Sequence, residues 1–218
     1  MFDTVLSYLA PHDCASCGQQ GSILCEQCKY DIVSEPPQRC LLCLVPTRIS
    51  NLCTTCRQKS GVEDAWYVGE RSGGLKRLID EYKFRSALAA ASQITSLIDA
   101  RLPLFGELVV CPVPTAPAHR RARGFDHTAR LARALADKRR LPYRSLLGRE
   151  TSETQHFKSR ADRFASAERS IVARGDAPQQ VLLIDDILTT GATVDVCVRR
   201  LKEAGAKTIY VAICARQP

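Results

Sequence analysis

Eight of the chain's eleven cysteines lie in four C-x2-C pairs near its beginning, and this spacing constrains the fold more than any other feature. Each pair can form a tight turn, called a knuckle here, whose two sulfurs reach one ion. Two knuckles complete a tetrahedral site of four thiolates. A segment of about 60 residues rarely builds a sufficient core without such a staple. The sequence therefore predicts two structural Zn²⁺ ions in residues 1–60. The predicted ligands are Cys14, Cys17, Cys25, Cys28, Cys40, Cys43, Cys53 and Cys56.

The spacing leaves two pairings of the knuckles open. Sequential ligation joins the first knuckle to the second and the third to the fourth, and we favour it because it closes the shorter loops. An interleaved cross-brace would join the first knuckle to the third and the second to the fourth. The other cysteines, Cys111, Cys197 and Cys214, stand alone in apolar stretches, where a free cysteine usually behaves as a small buried hydrophobe. We expect these three in the core.

The beginning of the chain and its hydropathy bear on its compartment. The first ten residues carry one acidic residue and no Lys or Arg, unlike the charged start of a secretory signal. No run of about 18 apolar residues occurs, so a membrane-spanning helix is not expected. So many cysteines in an intracellular chain favour thiolate metal sites over disulfides. We predict a cytoplasmic protein without membrane insertion.

Residues 61–218 follow a different pattern, in which short apolar strands alternate with amphipathic helices. Strands are predicted at residues 65–69, 108–111, 181–184 and 209–214. Helices are predicted from Ser72, through residues 88–98, after a cap at Asp126 and over residues 192–204. This alternation is typical of an α/β fold with a mainly parallel sheet and flanking helices. We therefore predict two domains, residues 1–60 and residues 61–218.

The stretch at residues 181–193, VLLIDDILTTGAT, is the most informative about chemistry. Open α/β sheets bind ligands outside the carboxyl ends of their strands, where Asp185 and Asp186 are expected to stand. The loop that follows can surround an anion with backbone N–H groups at the start of a helix. These features suit a sugar phosphate, because carboxylates accept hydrogen bonds from ribose hydroxyls while the loop donates to the 5′-phosphate. The predicted loop residues are Thr189, Thr190, Gly191, Ala192 and Thr193.

This order of strand, acid pair and loop resembles the phosphoribosyl pyrophosphate (PRPP) motif of the type I phosphoribosyltransferases. Further motifs extend a narrower resemblance, to the ComF family, over nearly the full length. They are the four knuckles, Tyr82-Lys83-Phe84, VCPVP at residues 110–114, RRARGFD at residues 120–126, and Gln155. The chain departs from the family at residues 123–127, RGFDH, where the family more often has RGFNQ. It departs again after Arg163, where Phe164 to Ser166 stand in place of the usual Asn.

The resemblance implies a phosphoribosyltransferase-like fold that binds PRPP together with Mg²⁺. It assigns Asp185 and Asp186 as catalytic and PRPP-binding residues, and it places the pyrophosphate against the loop after Pro114. The family is associated with DNA uptake and natural transformation. Single-stranded DNA and proteins of the DNA-uptake machinery are therefore the implied partners, besides PRPP itself.

Fixed cations should lie beside the pyrophosphate, because its departure builds negative charge on the leaving group. The candidates for these PRPP-binding cations are Lys83, Arg121 and Arg123. The histidines beside basic residues are His119, His127 and His156, and no catalytic role is predicted for them.

The net charge of +8 is concentrated in one segment, residues 117–169, which holds 14 Lys and Arg against 6 Asp and Glu. Such an excess is typical of a surface that neutralises nucleic-acid phosphates, and we expect Arg139 and Arg140 to contribute. We therefore predict a PRPP-binding protein that handles single-stranded DNA during DNA uptake. The alternative is an active PRPP-dependent phosphoribosyltransferase of nucleobase or nucleotide metabolism with an unidentified acceptor. A merely solvated basic face would explain the charge equally well.

Overall fold

A computed structural model of the chain describes residues 12–47, 51–84, 88–150 and 160–217. Gln155 and His156 lie outside these ranges. The helices, in chain order, are α1 (Glu26–Ser34), α2 (Thr54–Ser60), α3 (Gly73–Phe84), α4 (Leu88–Asp99), α5 (Pro117–Arg123), α6 (His127–Arg139), α7 (Arg160–Ser170) and α8 (Ala192–Glu203). The strands are β1 (Asp64–Glu70), β2 (Val109–Pro112), β3 (Leu147–Arg149), β4 (Ile171–Ala173), β5 (Gln180–Leu188) and β6 (Thr208–Arg216). Within the described ranges, no helix has the length and apolar character needed to cross a membrane.

The central sheet has four parallel strands in the order β1-β6-β5-β2. The predicted α/β fold with a mainly parallel sheet and flanking helices is therefore confirmed. The apolar run from Val181 to Ile184 forms the first half of β5 and is fully buried, because helices cover both faces of the sheet. The predicted burial of Cys111, Cys197 and Cys214 is also confirmed.

The alternation of side chains along β5 divides the core into two layers. Leu182 and Ile184 pack on the side of α3, α4 and α6, whereas Val181 and Leu183 pack on the side of α7 and α8. Successive side chains of a strand point to opposite faces. The two acids that follow this run therefore face different layers.

The N-terminal knuckles pack on opposite faces of the sheet. Ile23 and Leu24, beside the second knuckle, join the layer of α3, α4 and α6. Leu41 and Leu52, in the region of the third and fourth knuckles, join the layer of α7 and α8. Residues 12–47 and 51–60 thus share both cores with the rest of the chain, while the division at residue 60 stays a prediction.

Arg101, just after α4, ties α1 to the edge of the sheet. Its guanidinium donates to the carbonyl oxygens of Ile32 at 3.1 Å, Glu35 at 3.0 Å and Val68 at 3.2 Å. The first two carbonyls lie at the C-terminal end of α1, where helix carbonyls lack partners of their own. The third belongs to β1, which stands at one end of the four-stranded sheet. One side chain therefore satisfies acceptors of both elements.

Sequence reasoning did not predict the small antiparallel sheet of β3 and β4. Each of its strands has three residues, too few for an alternating pattern to be recognised. Beyond the paired residues, the Glu150 N–H donates to the carbonyl oxygen of Ser170 at 2.9 Å. This sheet brings Arg149 towards the carboxyl end of β5.

The expectation that Arg139 contributes to a phosphate-binding surface is wrong. Its guanidinium lies 2.5 Å from Asp99 Oδ1 and donates to the carbonyl oxygens of Asp99 at 2.9 Å and Leu102 at 3.0 Å. The side chain is 14% exposed, so its charge is used to hold α6 against the end of α4. Arg140, the next residue, is exposed and is still able to contact a phosphate.

Candidate functional site

In the part of the chain that the structure describes, two groups of four cysteines gather their sulfur atoms, which within each group lie within 4.8 Å of one another. The first zinc cluster comprises Cys14, Cys17, Cys25 and Cys28, and the second zinc cluster comprises Cys40, Cys43, Cys53 and Cys56. The favoured sequential pairing is confirmed and the interleaved pairing is wrong. Adjacent sulfurs are 3.8 Å apart in the first zinc cluster and 3.6 Å apart in the second. Tetrahedral zinc–sulfur bonds of about 2.3 Å require an edge of about 3.8 Å.

Backbone N–H groups donate to sulfur in both clusters, which favours the thiolate form. The Cys25 N–H lies 3.4 Å from Cys14 Sγ, and the Cys56 N–H lies 3.4 Å from Cys53 Sγ. Burial raises the pKa of Cys14, but the backbone donors outweigh burial and lower that pKa to about 6. The same balance lowers the pKa of Cys40 to about 7, whereas burial and the neighbouring sulfurs raise the pKa of Cys43 and Cys56. Geometry and donors together fit two structural zinc ions.

A separate cavity of about 360 Å³ opens where β2 ends beside β5. β2 pairs with β5 as far as Pro112, which lies opposite Ile184, and the chain then turns away. Asp185 and Asp186 follow Ile184, so both acids line the cavity at the carboxyl end of the sheet. The basic side chains that line the cavity with them are Arg71, Lys83, His119, Arg123, His127 and Arg149.

Asp186 is buried and faces the layer of α3 and α6. Its Oδ2 atom lies 2.6 Å from Lys83 Nζ and 3.2 Å from His127 Nε2. Burial alone would raise the pKa of Asp186, but the hydrogen bond from His127 and the charge of Lys83 hold that pKa well below its usual range. Asp186 is therefore an ionised carboxylate between two basic side chains. The position of Lys83 at the end of α3 places this cation in the site.

Asp185 is half-buried and faces the opposite layer. Its Oδ1 accepts a hydrogen bond of 2.9 Å from the Asp186 N–H. Burial, and then the neighbouring Asp186 charge, raise the pKa of Asp185 well above its ordinary value. The pKa values of the two adjacent carboxyls are thus shifted in opposite directions. Together they offer acceptors to a polyhydroxy ligand.

Loop 189–193 joins β5 to α8 beside the two acids. Gly191 has φ +79° and precedes the first residue of α8, so its left-handed backbone explains why glycine stands there. Thr189 and Thr193 line the cavity, and Thr190 Oγ1 lies 3.5 Å from the Ala192 N–H. Thr190, Gly191 and Ala192, which were also predicted to bind the phosphate, are not among the lining residues; they form the turn into the N-terminus of α8 between Thr189 and Thr193.

Asp126 is the cap of α6, as predicted, and it also holds the loop after Pro114. Its Oδ1 accepts from the Ala129 N–H at 3.0 Å and from Thr115 Oγ1 at 2.8 Å. Thr128 Oγ1 in turn donates to the Val113 carbonyl oxygen at 2.7 Å. These bonds fix the loop that forms another wall of the cavity.

Among the predicted cations, Lys83 and Arg123 line the cavity, whereas Arg121 is exposed on α5 outside that lining. Sequence reasoning assigned no role to four further basic residues that line it: Arg71, His119, His127 and Arg149. His127 is buried, and its Nδ1 lies 3.0 Å from an Arg123 guanidinium nitrogen. Arg149 reaches the cavity from β3, where its Nε donates to Ser170 Oγ at 3.1 Å. The position of His127 directly after the cap Asp126 was the sequence feature that could have indicated its place in the site. No sequence feature indicated Arg149.

Residues 129–218 match the model of the phosphoribosyl transferase domain family. Together with the parallel sheet and the acid pair at its carboxyl end, this match shows that residues 129–218 are similar to a phosphoribosyl transferase domain. The predicted resemblance to the ComF family is confirmed by curated relatives. The chain is 27% identical over 192 residues to competence protein ComFC of Streptococcus pneumoniae (strain ATCC BAA-255 / R6), covering 86% of this chain and 85% of the relative. It is 25% identical over 195 residues to competence protein ComFC of Bacillus subtilis (strain 168), covering 84% of this chain and 79% of the relative.

A solved structure of the allosteric regulatory enzyme of purine biosynthesis is also similar, with a TM-score of 0.40 and 20% identity. The match covers 56% of this chain and 25% of that chain.

Proposed function

We propose that the chain binds PRPP together with Mg²⁺ in the cavity at the carboxyl end of β5. The observation that carries the proposal is the presence of an acid pair, Thr189 and Thr193 of loop 189–193, and several cations around one cavity of about 360 Å³. In this proposal Asp185 and Asp186 bind the ribose hydroxyls, and the loop binds the 5′-phosphate through its hydroxyls and the N-terminus of α8.

The cations face the remaining part of the ligand, the pyrophosphate. Lys83, Arg123 and Arg149 line the same cavity as the threonines of the loop and come from three different elements. Departure of pyrophosphate from the ribose builds negative charge, and fixed cations in a half-enclosed site stabilise that charge without reorganisation. Mg²⁺, when bound with PRPP, supplies further neutralisation of the pyrophosphate oxygens. The residues therefore suit transfer of the phosphoribosyl group to a nitrogenous acceptor, whose identity is open.

The second part of the proposal concerns DNA. We infer handling of single-stranded DNA during DNA uptake from the exposed Arg120 and Arg121 on α5 and Arg140 after α6. Arg123 on the same short helix lines the cavity, so Arg120 and Arg121 stand near it, whereas Arg140 lies at the opposite end of α6 from His127. The name of both curated relatives, competence protein, supports a role in this process. A phosphate-dominated contact of this kind weakens steeply with salt and depends little on sequence.

Isothermal titration calorimetry with PRPP and Mg²⁺ tests the first part. We expect saturable binding to the parent protein, and loss of binding in Lys83→Met, since the methionine keeps the bulk of the stem and removes the charge. Lys138→Met on α6, which is half-exposed and outside the cavity, is the matched control. Equal PRPP affinity in the parent and in Lys83→Met would overturn the proposal. Release of pyrophosphate, with and without nucleobases, then separates a transferase from a binding protein.

A further inference from the structure

The second zinc cluster lies against loop 189–193. Leu42 stands between Cys40 and Cys43 in the third knuckle, and its Cδ2 lies 3.7 Å from the position of a Cβ on Gly191. Leu42 is half-buried and packs on the same core layer as Val194 of α8. A zinc-binding turn thus supplies a wall for the loop that we assign to the 5′-phosphate.

Arg216, at the end of β6, joins the same knuckle to the site from a second direction. Its guanidinium donates to the carbonyl oxygens of Leu41 at 2.6 Å and Leu42 at 3.4 Å. Arg216 lies opposite Leu188 in the sheet. The next residue, Gln217, donates its N–H to the Leu188 carbonyl oxygen at 2.8 Å and lines the cavity. The knuckle is therefore held to the residue that precedes loop 189–193.

The first zinc cluster has different neighbours. The Arg77 guanidinium donates to the Ser16 carbonyl oxygen at 2.6 Å, and a Cβ on Gly74 would meet Ser16. Both contacts lie in the N-terminal half of α3, on the other face of the sheet from Leu42. The two clusters therefore allow a comparison within one molecule.

We infer that Leu42 and Arg216 are positioning residues, which make the conformation of loop 189–193 depend on the second zinc cluster and not on the first. A knuckle of this size has few contacts of its own, so metal binding and its folding are one equilibrium. When the zinc-bound turn is in place, Leu42 limits movement of Gly191 towards the third knuckle. When the zinc-bound turn is not formed, the loop has to become ordered as the ligand binds, and this cost lowers the affinity for the ligand. The effect on PRPP rests on the proposed function, whereas the effect on the loop does not.

Hydrogen–deuterium exchange of a peptide covering residues 189–193 tests the coupling without any ligand. In Leu42→Ala we expect faster exchange of this peptide, with two zinc ions per chain retained. Leu42→Met should restore slow exchange, because the methionine refills the contact. Val45→Ala, an exposed position of the same knuckle, is the matched control and should exchange like the parent. Parental exchange in Leu42→Ala would overturn the inference.

Calorimetry with PRPP and Mg²⁺ gives the second readout. We expect Leu42→Ala to bind PRPP about tenfold more weakly than the parent, the size expected when one loop must be ordered on binding. Arg216→Gln should act in the same direction, and Arg216→Lys should retain part of the affinity. If the parent protein itself does not bind PRPP, the proposed function fails, and the exchange measurement still decides the coupling.

Cysteine variants make the test independent of the folding of Leu42→Ala. Cys43→Ser removes a ligand of the second zinc cluster, and Cys17→Ser removes the corresponding exposed ligand of the first. We expect faster exchange at residues 189–193 in Cys43→Ser alone. Equal exchange in the two variants would contradict the inference.

Discussion

Lys83 Nζ lies 2.6 Å from Asp186 Oδ2, and the two side chains are 12% and 5% exposed. This ion pair joins the last turn of α3 to the carboxyl end of β5 inside the cavity. Because both partners are largely removed from water, neither charge can be lost without leaving the other poorly compensated. The pair is thus a structural element of the site as well as part of its chemistry.

The first prediction concerns this pair. Asp186→Asn should lower the free energy of unfolding by about 2 kcal/mol, because the variant leaves Lys83 buried without its counter-ion. The same variant should lose PRPP binding. Urea unfolding at pH 7 measures the first effect and calorimetry the second. Asp137→Asn, an exposed acid on α6, is the control, and an unchanged stability of Asp186→Asn would show that the pair contributes nothing.

The second prediction is the pH dependence of the difference in unfolding free energy between the parent and Asp186→Asn. The pKa of Asp186 is depressed in the folded state, so its contribution to stability is present above the unfolded value of about 3.9 and is lost as the pH falls towards the folded value. The difference in stability between the parent and Asp186→Asn should therefore shrink between pH 5 and pH 2, as estimated roughly from that linkage. Asp185 is present in both proteins, but burial alone, without the Asp186 charge, raises its pKa in Asp186→Asn, so part of the difference comes from Asp185. A constant difference across this range contradicts the assigned ionisation.

The third prediction is the metal content. Elemental analysis should find two zinc ions per chain in the parent, and one in either Cys25→Ser or Cys53→Ser, since each variant removes one ligand of one cluster. Cys214→Ala, in the core, should keep both ions. Near-ultraviolet circular dichroism should show that loss of either ion disturbs one layer of the core, because buried leucines next to each cluster belong to opposite layers. One zinc ion in the parent would contradict the two-site structure.

The fourth prediction separates the two neighbouring arginines. Arg139→Gln should lower the free energy of unfolding by about 2 kcal/mol, because it removes the Asp99 pair and several carbonyl contacts. Arg140→Gln should leave stability nearly unchanged and weaken binding of single-stranded DNA at low salt. Thermal unfolding and a filter-binding assay measure the two effects. Equal stability of the two variants would show that Arg139 does not hold α6 against the end of α4.

The fifth prediction concerns Gly191. Gly191→Ala should cost about 1 kcal/mol of stability, because a left-handed backbone is unfavourable for a residue with a Cβ. It should also weaken PRPP binding by disturbing the loop. Gly106→Ala, where the added Cβ meets open space, is the control for the substitution itself. A more stable Gly191→Ala protein would mean that the loop does not hold this conformation in solution.

Long periodic elements and compact motifs were predictable from the sequence. The run from Val181 to Ile184, the acids behind it and the cap at Asp126 each depend on neighbours within a few residues, so local pattern sufficed. The zinc ligands were predictable for the same reason, since each knuckle is a local turn with a fixed spacing.

The remaining parts of the site depend on contacts between residues distant in sequence. Arg149 reaches the cavity through strands of three residues, and the burial of Asp186 arises because α3 and α6 bring Lys83 and His127 over it. Arg139 illustrates the same limit. Its charge suggested a phosphate-binding surface, but its guanidinium pairs with Asp99, which lies forty positions earlier in the sequence. Charge counted along a segment does not reveal which charges have a partner.

Arg101 has a further consequence for the behaviour of the chain without metal. β1 stands at the outer end of the sheet, and an outer strand presents unpaired backbone groups to which another chain can add. Arg101 donates a hydrogen bond to the Val68 carbonyl oxygen of that strand. Its other hydrogen bonds go to carbonyl oxygens at the end of α1, the helix that carries Cys28. We expect chains that lack zinc in the first cluster to lose the Arg101 contact with β1 and to self-associate through this strand. Aggregation would then be the first effect of zinc depletion.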